Sequence, residues 1–131
     1  PRPVPVPTPV SRPFWDATRE NKLVLQFDRE TGRPQFWPRP VSVNSGRRDM
    51  DWREVSGKGT LYAWTRVHAP MRGFEADVPY VLASVDLEEG ARIAARLVNA
   101  AVEDLSPGMK VRVAWEPLSD ELSMYVFEPD S

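Results

Sequence analysis

Two short loops carry the most specific chemical pattern in this sequence. Asp28 to Gly32 and Ser42 to Gly46 each have the length and closing glycine of a zinc knuckle, and they flank an apolar bridge, Phe36-Trp37-Pro38-Arg39-Pro40-Val41. Four thiolates converging tetrahedrally on one ion require cysteine at the first and fourth place of each loop. Those places hold Asp28, Thr31, Ser42 and Ser45, and the chain contains no cysteine. One carboxylate and three hydroxyls are a poor zinc set, so these are degenerate metal positions and no metal is expected. Something else must hold the loops: Phe27, Phe36, Trp37, Met50 and Trp52, or a partner protein.

Other reactive side chains are scattered. His68 is the single histidine, and no Ser-His-Asp set or two-His metal motif can be assembled around it. At the end of a strand it reads as a surface residue. Asp49 and Asp51, Glu88 and Glu89, and Asp120 and Glu121 are paired in sequence, but each pair falls in or near a turn and reads as solvated. Lys58 between Gly57 and Gly59 lacks the full phosphate-loop spacing and is followed by strand pattern where a helix would be needed. Catalysis by this chain alone is not expected.

The elements that must position these groups follow from periodicity. The run PRPVPVPTPV has proline at alternate positions and reads as an extended linker over residues 1–10. Because the first residue is Pro, the sequence reads as trimmed or excised, with another domain before the linker. Ser11 is placed to cap a short helix with Pro13 in its first turn, and Leu23 to Phe27 reads as a lead-in strand, giving a second unit over 11–25. Adjacent Phe14 and Trp15 cannot point the same way, so one is expected on the barrel and the other outside. Residues 26–54 form the ribbon-like double knuckle. Residues 55–131 carry five strand patterns: Gly57 to His68, Pro79 to Leu87, Ala91 to Asn99, Lys110 to Trp115 and Leu122 to Phe127. A short helical turn over Asn99 to Leu105 separates the third from the fourth. In the first strand, Leu61, Ala63, Thr65 and Val67 alternate with Tyr62, Trp64, Arg66 and His68, which predicts one buried and one exposed face. The fold class is mainly β: a five-stranded OB-fold barrel preceded by an N-terminal helix and a metal-free, zinc-ribbon-like double knuckle.

Composition limits the partners. No apolar run approaches the roughly 20 residues that span a bilayer, so no membrane association and a soluble, cytoplasmic location are expected. Residues 1–72 hold 13 Lys or Arg against 7 acids, whereas residues 73–131 hold 4 against 12. Tyr62, Trp64 and Arg66 could form a stacking platform for single-stranded nucleic acid, but an acidic barrel repels a phosphate backbone, and that reading is disfavoured. Phe14, Trp15, Phe36, Trp37 and Trp52 are more large rings than a metal-free ribbon easily buries, which points to an interface that also uses Arg39. Arg33, Arg47 and Arg48 are placed to reach acidic residues or coenzyme A phosphates. Trp64 and Trp115, on barrel strands, are expected in the core.

The order of a Phe-Trp helix, a double knuckle with its Phe-Trp-Pro-Arg-Pro bridge, VSGKGTLYAWTRVH, PYVLASVDLEEGARI and LSPGMKVRVAWEP resembles the family called domain of unknown function thirty-five, the acyl-CoA-associated OB-fold. The resemblance spans Pro13 to Pro129, with the family's four metal cysteines falling on Asp28, Thr31, Ser42 and Ser45. It implies an accessory role beside a thiolase-like aldolase, with a hydratase-like domain ahead of the linker and two copies of each chain in the complex. The implied reaction is retro-aldol cleavage of a steroid side-chain acyl-CoA that releases propionyl-CoA. This chain would bind no cofactor of its own, and the coenzyme A thioester would be substrate of the complex, a carbon–carbon lyase.

Overall fold

In the computed structural model, which describes residues 3–69 and 72–130, the N-terminal helix is organised three residues earlier than its hydrophobic spacing indicates. Thr8 Oγ1 accepts the Ser11 N–H at 3.1 Å, and Ser11 Oγ accepts the Thr8 N–H at 3.0 Å. Arg12 N–H reaches the Thr8 carbonyl at 2.8 Å. This is a reciprocal capping box with Pro9 at its first position, so Thr8 is the cap and Ser11 its partner rather than the cap itself. Helix α1 (Arg12–Thr18) follows. Thr18 Oγ1 donates to the Trp15 carbonyl at 2.6 Å and accepts the Ser123 N–H at 2.9 Å, tying the helix end to the last strand. The start of the proline-rich run and residues 70–71 of the first barrel loop lie outside the described residues.

Three short strands build the ribbon: β1 (Val24–Asp28), β2 (Pro34–Gln35) and β3 (Met50–Glu54), antiparallel in the order β2-β1-β3. Five longer ones close a barrel: β4 (Lys58–Val67), β5 (Tyr80–Leu87), β6 (Arg92–Leu97), β7 (Lys110–Pro117) and β8 (Ser123–Pro129), in the order β4-β5-β6-β8-β7. The circle is completed where β7 pairs back to β4, with Gly59 opposite Val111. A 3-10 turn at Val102–Asp104 sits between the third and fourth barrel strands. This is the OB-fold arrangement, and the third barrel strand expected over Ala91 to Asn99 is present as Arg92–Leu97.

Leu61, Val85, Ile93, Val111 and Phe127 are buried at the centre of the barrel. Gly59 belongs to the same layer for a steric reason: a Cβ there would collide with the Asp86 carbonyl oxygen. The simple alternation expected for β4 fails halfway along. A β-bulge between Leu61 and Ala63 inserts one residue against β5, so the phase of the strand flips. Leu61 points inward, but Trp64, opposite buried Ala83, takes the inner side while Ala63 and Thr65 face out. Trp64 and Trp115 both pack against the core.

Candidate functional site

The two knuckles are held by a hydrogen-bonded pair. Asp28 Oδ1 accepts the N–H groups of Glu30 and Thr31 at 2.7 and 3.1 Å, and Ser42 Oγ accepts those of Asn44 and Ser45 at 3.0 and 3.2 Å. Each loop also closes on its own backbone, Gly32 to Asp28 at 2.7 Å and Gly46 to Ser42 at 2.8 Å. Across the gap, the Ser42 hydroxyl donates to Asp28 Oδ2 at 2.5 Å. Both side chains are buried. The Ser42 hydroxyl, with that of Ser45 beyond it, and the N–H groups of Thr31 and Glu30 hold the Asp28 carboxyl down at about 2.

This donor set does not fit zinc. Both oxygens of Asp28 and the hydroxyl of Ser42 are already committed to the clasp, and the hydroxyls of Thr31 and Ser45 accept the N–H groups of Arg33 and Arg47 within their own loops. The expectation that an apolar set or a partner protein must hold the knuckles omits this polar clasp. A short charge-assisted hydrogen bond joins them, at the two places where the first thiolate of each knuckle would stand.

A second polar device fixes the bridge. Gln26 and Gln35, on β1 and β2, are both buried. Gln26 Nε2 donates to the Arg39 carbonyl at 2.9 Å, and its Oε1 accepts the Arg39 N–H at 2.8 Å. Gln35 Nε2 donates to Gln26 Oε1 at 2.9 Å and to the Val41 carbonyl at 3.2 Å, while its Oε1 accepts the Val43 N–H at 2.8 Å. Proline-interrupted backbone that cannot pair as a strand is thus satisfied by amide side chains. The consequence is a fixed, outward-facing row: Trp37 is 37 % exposed, Val41 37 % and Val43 63 %, with Arg39 exposed between them.

The rings divide differently from expectation. Phe14 and Trp15 are both buried, so neither is available to dock a partner. The reason is that α1 is covered on two sides, by the barrel and by the ribbon bridge. Phe14 sits 5.2 Å from Trp37, 5.8 Å from Phe36 and 5.6 Å from Tyr125 of β8, and 5.0 Å edge-on from Trp15. Phe36 and Trp52 are half-buried against the same core. Of the rings placed at an interface, Trp37 remains the one with a large free face.

The charged candidates also separate. Arg47 is paired with Glu30 of the opposite knuckle at 3.1 Å, whereas Arg33, Arg39 and Arg48 are exposed and make no side-chain ion pair among the described residues. Asp49 and Asp51 are engaged by Arg29, and Asp51 also by Arg53 at 2.9 Å. Glu88 and Glu89 hold the Ser56 hydroxyl and N–H at 3.1 and 2.9 Å. His68 is exposed after β4. No group of three or more His, Asp or Glu side chains converges among the described residues. The stacking platform is absent as drawn: Trp64 turns inward, and Arg92, held by Asp86 at 2.7 Å, lies 3.6 Å over the Tyr62 ring. No helix among the described residues is long and apolar enough to cross a membrane.

A family model for the ChsH2 C-terminal OB-fold domain matches residues 52–116. The chain is 37 % identical over 107 residues to a DUF35 domain-containing scaffold protein of Pyrococcus furiosus, covering 82 % of this chain and 78 % of that one. It is 32 % identical over 117 residues to the 3-oxo-4,17-pregnadiene-20-carboxyl-CoA hydratase alpha subunit of Mycobacterium tuberculosis, covering 89 % of this chain but 37 % of that one. The chain therefore spans a little over a third of that hydratase subunit. A solved structure described as the Ltp2-ChsH2(DUF35) aldolase aligns with a TM-score of 0.84 at 29 % identity, over 96 % of this chain and 98 % of that one. With a DUF35 scaffold protein 37 % identical over most of both chains, and the aldolase domain sharing the fold over nearly the whole chain, the chain belongs to the DUF35 family.

Proposed function

We propose that this chain is an accessory domain that docks onto a thiolase-like aldolase through the bridge row Trp37, Arg39, Val41 and Val43. The observation that carries the reading is that two buried glutamines fix the backbone of a proline-rich segment that lies over helix α1 yet leaves Trp37, Val41 and Val43 with exposed apolar surface. Preorganised apolar surface of this kind loses little entropy on binding, and a tryptophan beside an unpaired arginine is the composition of an interface hot spot. The likeness over nearly the whole chain to the domain in an aldolase complex supports the partner class. Arg33 and Arg48 stand at the rim, available to acidic groups of the partner or to the phosphates of a coenzyme A thioester.

The substrate class in this reading is a steroid side-chain acyl-CoA, cleaved by retro-aldol chemistry with release of propionyl-CoA. Relatedness to a steroid hydratase alpha subunit supports it. The aldolase would supply the reacting groups, and this domain would complete and order the site, with two copies of each chain as the simplest symmetric assembly. A hydratase-like domain ahead of the proline-rich run is the matching proposal for the longer protein.

The test is co-expression with a thiolase-like aldolase of the same source, followed by size exclusion with light scattering and an acyl-CoA cleavage assay. A complex that cleaves substrate, where neither chain does so alone, is the expected result. Trp37→Ala should weaken the complex by about 30-fold, the scale of a 2 kcal/mol hot spot. A folded Trp37→Ala variant that assembles as tightly as the parent would overturn the docking surface.

A further inference from the structure

One edge of the ribbon sheet has no neighbouring strand. In the order β2-β1-β3 the bridge row departs from the β2 side, and β3 (Met50–Glu54) ends the sheet on the other. The β1–β3 ladder is bracketed by the Val55 N–H bonded to the Leu23 carbonyl at 2.8 Å and the Arg29 N–H bonded to the Asp49 carbonyl at 3.1 Å. Bonded and non-bonded pairs alternate along an antiparallel ladder. Asp51 and Arg53 therefore turn their backbone groups to β1, and those of Met50, Trp52 and Glu54 point away from it. The Met50 N–H folds back to the Arg48 carbonyl at 3.0 Å, and the Trp52 N–H is turned to the Asp51 carboxylate. The Glu54 N–H and the carbonyls of Met50 and Trp52 have no partner among the described residues.

An open edge of this kind is commonly guarded by lysine, proline or a bulge. β3 has none of the three, and its charges alternate in sign. That alternation fits a second copy of the same strand. Outward-facing residues must stand opposite one another, which leaves three antiparallel registers that pair at least three residues of β3. Centring on Asp51 sets that carboxylate against its own copy, and centring on Arg53 sets guanidinium against guanidinium; like charges directly opposite destabilise a pair. Centring on Trp52 pairs all five residues, sets Asp51 opposite Arg53 twice and stacks the two tryptophans' strand positions on the other face.

We infer that β3 is a homodimer contact, two copies of this chain pairing antiparallel about a two-fold axis at Trp52. The Trp52 N–H exchanges its local carboxylate for the Trp52 carbonyl of the other copy, and each Glu54 N–H meets the opposite Met50 carbonyl. Asp51 and Arg53, bonded to each other at 2.9 Å within one chain, join their counterparts in a ring of four alternating charges. The contact is isologous and small, so it belongs to the weak, transient class. It leaves the bridge row free and does not depend on the docking reading.

Light scattering of the chain over a concentration series up to about 1 mM tests it, the range a small interface requires. Mass should rise from 14.9 kDa toward twice that value, with concentration-dependent amide shifts centred on β3. Glu54 is exposed and its N–H faces outward, so Glu54→Pro should preserve the β1–β3 ladder and abolish association. Asp51→Arg and Arg53→Asp should each weaken association about tenfold, since the two-fold axis doubles every repulsion. Mixed in equal amounts, these two variants should pair with each other at least as tightly as the parent does with itself, one strand being basic and the other acidic at both positions. A parent that stays monomeric across the series, or association that survives in a folded Glu54→Pro variant, would overturn the contact. Failure of the two charge variants to combine on mixing would overturn the register.

Discussion

The barrel and the ribbon solve the same problem by different means. The barrel closes through its backbone: strands of 6 to 10 residues pair in a continuous circle, and alternate side chains fill the interior. The ribbon has strands of 5, 2 and 5 residues, too little pairing to fix two loops and a proline-rich bridge. Side chains finish the work there, through the Asp28–Ser42 clasp and the Gln26–Gln35 pair. A barrel of this kind tolerates exchange of one apolar residue for another, whereas a ribbon of this kind depends on a few polar atoms with no substitute.

The largest effect should come from the residue that joins the two regions. Phe14 is fully buried and touches rings from the ribbon and from β8, so Phe14→Ala should cost about 3–5 kcal/mol. Denaturant unfolding followed by both tryptophan fluorescence and far-ultraviolet dichroism is the measurement. A single shifted transition is expected. Separate transitions would show that ribbon and barrel are less coupled than the packing implies.

Next in size is a lesion confined to the barrel. Gly59→Ala places a methyl against the Asp86 carbonyl oxygen, where β5 cannot retreat without breaking the ladder, and should cost about 3 kcal/mol. Amide exchange should quicken across β4, β5 and β7 more than in β1 and β3. Uniform acceleration in both regions would erase the distinction drawn between them.

This difference also accounts for what could be read from the sequence. The five barrel strands follow from local alternation and turn residues, information that lies within each segment. The β4 bulge does not, because a one-residue insertion is defined only against the partner strand. The cap shows the same limit at shorter range: Ser11 and Thr8 are both good cap residues, and only the reciprocal bonds reveal which one leads. In the ribbon, the knuckle spacing is local and visible, but Asp28 and Ser42 are 14 residues apart and their bond exists only once the loops face each other. Burial of Phe14 and Trp15 likewise depends on the bridge folding over α1. Gln26 and Gln35 carried one usable signal, an amide on each of two strands flanking a proline-rich segment whose backbone needs partners.

The clasp is the ribbon's counterpart to Gly59. Ser42→Ala removes the bond to Asp28 and leaves the N–H groups of Asn44 and Ser45 without their acceptor, at an expected cost of about 2 kcal/mol. Exchange should quicken in both knuckles and in β1, with the barrel protected as before. Addition of a chelator should change neither the parent nor the variant, because none of the clasp atoms is free to ligate. A chelator-induced fall in melting temperature would return the loops to the class of metal sites.

The smallest expected effect is the most selective. Asp28 has its carboxyl at about 2 in the folded chain against 3.8 as the ordinary value. A depressed carboxylate stabilises the fold above its unfolded pKa and loses that contribution as pH falls through the folded value. The clasp should therefore be intact above about pH 4 and weaken progressively toward pH 2. Its loss should be seen first as rising exchange at Glu30, Thr31, Asn44 and Ser45, whose N–H groups it holds. Asp28→Asn keeps the side-chain shape but cannot ionise, so it should be less stable at neutral pH and show little further change in these amides between pH 4 and 2. If the knuckle amides of Asp28→Asn respond to acid as steeply as those of the parent, another carboxylate governs the ribbon, and the comparison with a zinc knuckle loses its chemical basis.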